Sequence, residues 1–289
     1  MNLKTVDLGG PMGYADFGGQ GPPLVLLHGL AGSHLNWTQN GPALATRHRV
    51  YAPDLIGFGS TPRGGREASI QNHLSLFDRF LETVVGEPAV VVGHSMGGLI
   101  TLLQGTAHPS AILRAVLVGP ALPGPPTAAL PGLERHLVPV LARAPAAGAH
   151  LARLQVLTSG VERVVRASMT HVTTPAAALP EEFIQAHIAL EVERSGATDG
   201  YRSYLESWRS MHSLLVAGGA VDAAIRESRV PTLLIHGLHD LVVNVGAARR
   251  AHGMRPDWRY LELDDHGHSP QFQAPEEFNR AVLEFAART

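Results

Sequence analysis

The chain has 289 residues and a formal net charge of −2, with 45% hydrophobic residues, 17% charged residues and no cysteine. This composition is typical of a globular protein with a large core, and it excludes a disordered tail, a disulfide framework and a thiolate catalyst. Because the lysines and arginines are scattered along the chain, we expect no nucleic-acid partner.

Membrane and metal proteins are also not expected. No stretch approaches the roughly 18 uninterrupted apolar residues of a membrane helix, and residues 1–10 show no secretory signal. Together with the lack of cysteine, this favours a soluble, cytoplasmic protein. The chain has 16 histidines, but most stand alone and none shows metal-ligand spacing. We therefore predict no metal and no organic cofactor.

Four short, almost wholly apolar runs predict the strands of a parallel sheet, because strands covered on both faces by helices have no polar side. The runs are residues 24–27, 89–92, 115–118 and 232–235. Residues 70–85 carry apolar side chains at steps of three and four, which indicates an amphipathic helix. The alternation predicts an α/β fold with a doubly wound, mostly parallel sheet, whose ligands bind beyond the carboxyl ends of the strands.

The segment from residue 121 to residue 228 interrupts this alternation. It is rich in alanine, arginine and leucine at helical spacings, and it contains no convincing strand. Several prolines mark its beginning, and Val230-Pro231 marks the return to the sheet. We predict a core of residues 1–120 and 229–289 and a helical insertion of residues 121–228.

The sharpest local motif is Gly93-His94-Ser95-Met96-Gly97-Gly98, which lies between the second apolar run and a helical stretch. A tight strand-to-helix turn needs small residues around the serine, because the serine backbone is strained and the chain passes close by. Such a turn exposes the hydroxyl at the tip of the strand. Ser95 is therefore the predicted nucleophile.

A serine hydroxyl attacks at neutral pH only when a base removes its proton and an acid orients the base. Asp240 follows the fourth apolar run, and both His266 and His268 follow a later strand-like segment. The order serine, aspartate, histidine is the one expected on this topology. Asp264 and Asp265 lie too close to the histidines in sequence to orient them, so they are expected to face solvent. These residues alone do not decide between His266 and His268.

Hydrolysis of an ester also needs donors aimed at the developing oxyanion. The backbone N–H of Met96, immediately after Ser95, is one candidate. The other is the backbone N–H of Leu30, in the glycine-rich loop His28-Gly29-Leu30-Ala31-Gly32-Ser33 that follows the first apolar run.

Five short segments, spread over nearly the whole chain, match the motifs of a known family and occur in the same order as in that family. They are His28-Gly29, Asp54–Ser60, Gly93–Gly98, His236–Asp240 and Gly267-His268-Ser269-Pro270. Together they resemble the α/β-hydrolase fold family, in particular its capped serine hydrolases of the esterase and lipase type. In that family the base is the histidine of a Gly-His-x-Pro-like segment, which implies that His268 is the base. The Asp54 segment resembles a turn that shapes the site without doing chemistry.

The same resemblance implies that the helical insertion is a cap over the active site. Apolar residues that could line the substrate pocket are Trp37, Met96, Leu137, Met169, Phe183, Trp208 and Met211. For each of them, ordinary core packing is at least as good an interpretation.

The predicted reaction is hydrolysis of a small-molecule carboxylic ester through an acyl-enzyme on Ser95. Haloalkane dehalogenases and epoxide hydrolases also resemble the chain, but they carry an aspartate at the position of Ser95 and are disfavoured. Lactonase or perhydrolase activity, and a receptor that binds without catalysis, are further alternatives. The acyl and alcohol specificity and the oligomeric state are left open.

Carbon–carbon bond hydrolases of ring-cleavage products are the main alternative, because they keep the serine. Asn36-Trp37 is similar to these enzymes. Their Gly-Pro-Gly segment, however, is missing between Leu30 and Ser33, and Ser269 stands where they tend to carry tryptophan.

Overall fold

The computed structural model describes residues 1–124, 134–175, 177–217 and 219–287, with the backbone alone for residues 134–137. Within these ranges, eight strands form one sheet: β1 (Asn2–Asp7), β2 (Pro11–Gly18), β3 (Pro23–Leu27), β4 (Arg49–Pro53), β5 (Ala89–His94), β6 (Ile112–Val118), β7 (Thr232–Gly237) and β8 (Arg259–Leu263). Their order is β1-β2-β4-β3-β5-β6-β7-β8. The pairs β1–β2 and β2–β4 are antiparallel and the others are parallel. The predicted doubly wound, mostly parallel sheet is thus confirmed.

The helices lie between the strands and in one long insertion. They are α1 (Gly41–Leu44), α2 (Ile70–Phe80), α3 (Met96–Ala107), α4 (Glu134–Leu141), α5 (Pro145–Ser159), α6 (Val161–Val172), α7 (Glu181–Arg194), α8 (Asp199–Ala217), α9 (Gly219–Glu227), α10 (Val245–Met254), α11 (Pro270–Gln273) and α12 (Pro275–Ala286). The predicted helix over residues 70–85 is α-helical to Phe80 and ends in a π-helical turn, Leu81–Val85. None of the described helices is both long and apolar enough to cross a membrane.

The sheet has an apolar layer on each face, because successive side chains of a strand point to opposite sides. On one face, Val91 of β5 belongs to the same buried cluster as Phe77 of α2. On the other face, Val92 belongs to the cluster of Phe278 of α12. Each such side chain contributes about 1.5–3 kcal/mol when it is fully buried. The two layers hold the parallel strands with their carboxyl ends at one edge of the sheet.

The segment between β6 and β7, which we call the helical insertion, contains α4–α9 in its described part. A buried ion pair fixes α8 to the loop after β4: Arg63 Nη2 donates to Glu206 Oε1 at 2.9 Å. Glu206 also accepts from the backbone N–H of Ala68 at 2.9 Å and from Arg202 Nε at 2.8 Å. Buried charges are tolerated when they are paired and hydrogen-bonded in this way. The contact holds α8 firmly against the sheet domain.

Candidate active site

Ser95 lies in the turn between β5 and α3, with φ 54° and ψ −116°. A residue with a Cβ rarely adopts a positive φ, so the backbone of this turn is strained and must be held by its neighbours. The Ser95 N–H donates to Val118 O at 2.9 Å, and the Ser95 carbonyl accepts from Ala121 N at 3.0 Å. The residues at and just after the end of β6 therefore hold the turn through both the N–H and the carbonyl of Ser95.

Asp240 and His268 form a direct pair at the carboxyl ends of β7 and β8. His268 Nδ1 donates to Asp240 Oδ2 at 2.8 Å. The other oxygen, Oδ1, accepts from the backbone N–H groups of Val242 and Val243, both at 2.8 Å. Burial alone would raise the pKa of Asp240, but the neighbouring rings of His268 and His236 lower the pKa well below its usual value. Asp240 is thus held as a carboxylate.

The structure distinguishes the two candidate histidines. His268 is buried against Asp240, whereas His266 has no contact of this kind and uses its carbonyl to accept from His239 N at 2.9 Å. Asp264 and Asp265 are exposed to solvent. Of the two histidines, only His268 has an orienting acid among the described residues.

The turn that follows β6 contacts both Ser95 and His268. Gly119 follows the carbonyl that receives the Ser95 N–H, and a Cβ at Gly119 would lie 3.2 Å from His268 Nδ1. The hydrogen bonds between described residues include none from the Ser95 hydroxyl to His268. The two residues are neighbours in the site without being bonded to each other.

His94, which precedes Ser95, supports the loop of His268. Its Nε2 donates to the His268 carbonyl at 3.0 Å, and the two rings lie 4.7 Å apart between centroids. Burial, together with the nearby His268, lowers the pKa of His94 to about 3, so the ring is neutral. His94 lies inside the serine motif, but its sequence position alone predicts no role for it.

The proposed oxyanion donors lie beside Ser95. The loop after β3 approaches so closely that a Cβ at Gly29 would lie 2.9 Å from Ser95 Cβ. Neither Leu30 N–H nor Met96 N–H donates to an acceptor among the described residues. Met96 is also the first residue of α3, where the helix dipole favours negative charge. Both donors are available to a bound anion.

Asp54 and His34 hold this loop in place. The Asp54 carboxylate accepts from the His34 N–H at 2.6 Å and from His34 Nδ1 at 2.7 Å. It also accepts from the Ser60 N–H at 2.7 Å. Burial would raise the pKa of Asp54, but the hydrogen bond and charge of His34, with the charge of His28 and the Ser60 N–H, lower it overall. The buried Asp54 carboxylate therefore holds the segment that follows Leu30 in place.

The predicted pocket residues are scattered over several environments. Met169 and Phe183 pack with Phe272 of α11, whose ring lies 6.4 Å from that of His94. Trp208 packs in a cluster that Leu30 also contacts.

Trp37, Met96 and Met211 belong to the two core layers or pack against them. Trp37 is fully buried in the core layer on the α12 side, 6.4 Å from Phe278 between ring centroids, and Met211 packs against the α2 layer. Their apolar character reflects core packing. The side chain of Leu137 lies outside the described residues.

In the part of the chain that the structure describes, no group of three or more histidine, aspartate or glutamate side chains is arranged to hold a metal ion. The arrangement around Ser95 contains a serine in a strained turn, a histidine–carboxylate pair and two backbone N–H groups without an acceptor among the described residues. These are the kinds of group that acyl transfer by a serine uses.

Comparison with known proteins agrees with this geometry. A family model described as the alpha/beta hydrolase fold matches residues 22–275. The pimeloyl-[acyl-carrier protein] methyl ester esterase of Aromatoleum aromaticum is 31% identical over 267 residues, which cover 89% of this chain and 94% of that protein. The 2-hydroxy-6-oxo-6-(2'-aminophenyl)hexa-2,4-dienoic acid hydrolase of Metapseudomonas resinovorans is 26% identical over 275 residues. This match covers 93% of this chain and 86% of that protein.

Solved structures share the fold. A serine hydrolase involved in carbazole degradation superposes with a TM-score of 0.76 at 23% identity, covering 99% of this chain and 98% of that chain. An alpha/beta hydrolase fold protein from Burkholderia ambifaria gives a TM-score of 0.75 at 22% identity, with coverage of 98% and 100%.

Proposed function

The chain belongs to the α/β hydrolase fold family, and from this premise we propose that it is a serine hydrolase that cleaves a carboxylic ester. The observation that carries the proposal is the hydrogen-bonded pair of Asp240 and His268 beside a serine in a strained strand-to-helix turn. The similarity to a methyl ester esterase over most of both chains supports the ester as the substrate class.

In the first half of the proposed reaction, Ser95 Oγ attacks the carbonyl carbon of the ester. His268 removes the hydroxyl proton, and Asp240 holds the ring so that Nε2 faces the serine. In unliganded enzymes the hydrogen bond between nucleophile and base is often long, and it tightens when substrate binds. The lack of a hydrogen bond between Ser95 and His268 among the described residues is consistent with this behaviour.

The tetrahedral intermediate carries its negative charge on the former carbonyl oxygen. The N–H groups of Leu30 and Met96 would hold that oxygen, and each such donor contributes roughly 3 kcal/mol in comparable sites. His268 then gives its proton to the alcohol as it leaves. In the second half, His268 activates a water molecule that releases the acid from Ser95.

We propose further that residues 121–228 form a cap over this site and that the cap shapes the substrate pocket. The support is that its residues Met169 and Phe183 pack with Phe272, next to His94, while Trp208 packs beside Leu30. Apolar walls of this kind suit a hydrophobic acyl or alcohol group.

The test is hydrolysis of a series of p-nitrophenyl esters from acetate to palmitate, together with labelling by a fluorophosphonate probe. Ser95→Ala should abolish labelling and lower turnover by at least about 10⁴-fold. Ser75→Ala, at an exposed position on α2, is the matched control and should change neither. A folded wild-type protein that shows neither turnover nor labelling would sink the proposal.

Carbon–carbon bond hydrolysis is the second candidate, and the similarity to a dienoic acid hydrolase over most of both chains favours it. It would use the same serine and histidine on a ketone instead of an ester. Labelling of Ser95 without ester turnover, combined with cleavage of a 2-hydroxy-6-oxo-dienoic acid, would select this reaction over ester hydrolysis.

A further inference from the structure

A second histidine contacts the carboxylate that orients His268. His236, the penultimate residue of β7, has Nε2 at 3.1 Å from Asp240 Oδ2, the same oxygen that receives the proton of His268 Nδ1. The side chains of His236 and Asp240 are both fully buried. Two imidazoles thus share one carboxylate oxygen.

The proton on His236 can be placed from its surroundings. Nε2 also lies 2.9 Å from the carbonyl oxygen of Val243, so both of its neighbours are acceptors. Nδ1 is buried and has no hydrogen-bond partner among the described residues. We therefore assign the neutral ring with its proton on Nε2, because this form satisfies the contacts and leaves no buried N–H unpaired.

Three hydrogen bonds hold Asp240: the backbone N–H groups of Val242 and Val243 donate to Oδ1, and His268 Nδ1 donates to Oδ2. The His236 N–H donates to Val243 O, and its nitrogen lies 3.1 Å from Oδ2, so the positive end of the N–H dipole stands beside that oxygen. This dipole offsets part of the charge on the oxygen that stabilises the protonated ring of His268. It also restrains rotation of the carboxylate.

We propose that His236 is a positioning residue of the active site, which holds Asp240 Oδ2 and thereby sets the pH range in which His268 acts as a base. The inference rests on the proposed function, since it concerns the same serine, aspartate and histidine. His236 does not touch substrate and acts only through Asp240.

Other charged groups around this pair are few. The ring of His94, from the end of β5, lies 4.7 Å from the His268 ring at an interplanar angle of 52° and is kept neutral by burial. From β8, Glu262 lies opposite His236 in the strand register and is paired with Arg249 of α10. None of these groups contacts Asp240 Oδ2, so His236 is the neighbour whose removal changes that oxygen directly.

The experiment measures the rate of fluorophosphonate labelling of Ser95 and kcat/KM for a p-nitrophenyl ester as functions of pH. His236→Phe removes the donor and keeps a ring in the space. We expect the acidic limb of both profiles, where the base becomes protonated, to move to higher pH by about half a unit to one unit. His236→Gln keeps an N–H group at a similar reach and should restore most of the wild-type profile.

His73→Phe is the control for a purely structural effect, because His73 is also fully buried but hydrogen-bonds Ser207 of α8 and not Asp240. It should leave the acidic limb unmoved even where the protein is less stable. An unmoved limb in His236→Phe, with a labelled wild type, overturns this inference alone. A wild type that is never labelled overturns the proposed function as well.

A measurement on the wild-type protein covers the case in which His236→Phe does not fold. Correlation of ¹⁵N and ¹H signals of the histidine rings should show His236 with its proton on Nε2 at neutral pH. A proton on Nδ1 instead would turn the unprotonated Nε2 toward Asp240 Oδ2 and would contradict the proposal.

Discussion

The backbone of Ser95 adopts φ 54° and ψ −116°, a conformation that costs a residue with a Cβ roughly 1–3 kcal/mol. Ser95→Gly removes the Cβ, although glycine also gains about 0.5–1 kcal/mol of freedom in the unfolded chain. We expect Ser95→Gly to raise the free energy of unfolding by about 1 kcal/mol while abolishing activity. Urea denaturation will measure this, with Ser95→Ala as an inactive control that keeps the Cβ. Equal stabilities of the two variants would show that the turn is not strained.

The buried carboxylate of Asp54 leads to a second prediction at the residue scale. Asp54→Asn places an NH₂ group among donors from His34 and Ser60, so at least one hydrogen bond is lost. We expect the free energy of unfolding to fall by about 2–3 kcal/mol and kcat to fall more than KM changes, because the loop of Leu30 loosens. Asp7→Asn is the control, since Asp7 accepts only an exposed bond from Gly10 N. An unchanged kcat would show that Asp54 does not support the loop that carries the Leu30 N–H.

The candidate nucleophile and acid could be predicted because each follows a recognisable apolar strand, and strand ends converge at one edge of the sheet. The distinction between His266 and His268 required the resemblance, since two residues on one loop point in directions that sequence alone does not fix. The contacts of His94 and His236 were missed for a related reason. His94 bonds the loop after β8, and the approach of His236 to Asp240 depends on the conformation of the loop after β7, which local spacing does not report.

Among the elements, α8 is joined to the loop after β4 by several contacts, of which the Arg63–Glu206 ion pair is buried. Glu206→Gln should leave the Arg63 charge uncompensated and lower the free energy of unfolding by about 3 kcal/mol. Glu67→Gln is the matched control, because its pair with Arg209 joins the same loop and helix at the surface. That change should cost at most about 1 kcal/mol. The free energy of unfolding of both variants is measured by urea denaturation. Similar losses would show that the buried Arg63–Glu206 pair stabilises the protein no more than the exposed Arg209–Glu67 pair.

The elements that sequence patterns identified were the buried ones. β3, β5, β6 and β7 are nearly all apolar, and the helix after residue 70 is strongly amphipathic, so each has a clear periodicity. β1 gives no such pattern because it lies at the sheet edge and is almost wholly exposed. The antiparallel hairpin of β1 and β2 was therefore not predicted. Trp37 and Met211 show the same limit, since periodicity does not tell which apolar layer a side chain enters.

For the whole molecule, buried histidines predict how stability depends on pH. Burial lowers the pKa of His73 and His94 to about 3, whereas both would titrate near 6.5 in the unfolded chain. Below pH 6.5 the unfolded state therefore binds protons that the folded state does not. Stability is full above about pH 6.5 and falls as the pH is lowered toward 3.

Each of these histidines should lower the free energy of unfolding by about 1.4 kcal/mol at pH 5.5 relative to pH 8. Urea denaturation across this range will measure the slope. His73→Phe should remove the contribution of His73, about 1.4 kcal/mol over this range, whereas His108→Gln, at an exposed position, should leave the slope unchanged. The same slope in His73→Phe and wild type would contradict a neutral, buried His73.

The position of the helical insertion also governs when the site can form during synthesis. Ser95 precedes the insertion, whereas Asp240 and His268 follow it. At about 5–20 residues per second, roughly 9 to 35 s separate translation of Ser95 from translation of His268. Throughout that interval the nascent chain contains the serine turn without the groups that we propose activate it. A ribosome-bound or truncated chain should therefore be inert toward esters, and the activity should switch on only when β7 and β8 join the sheet.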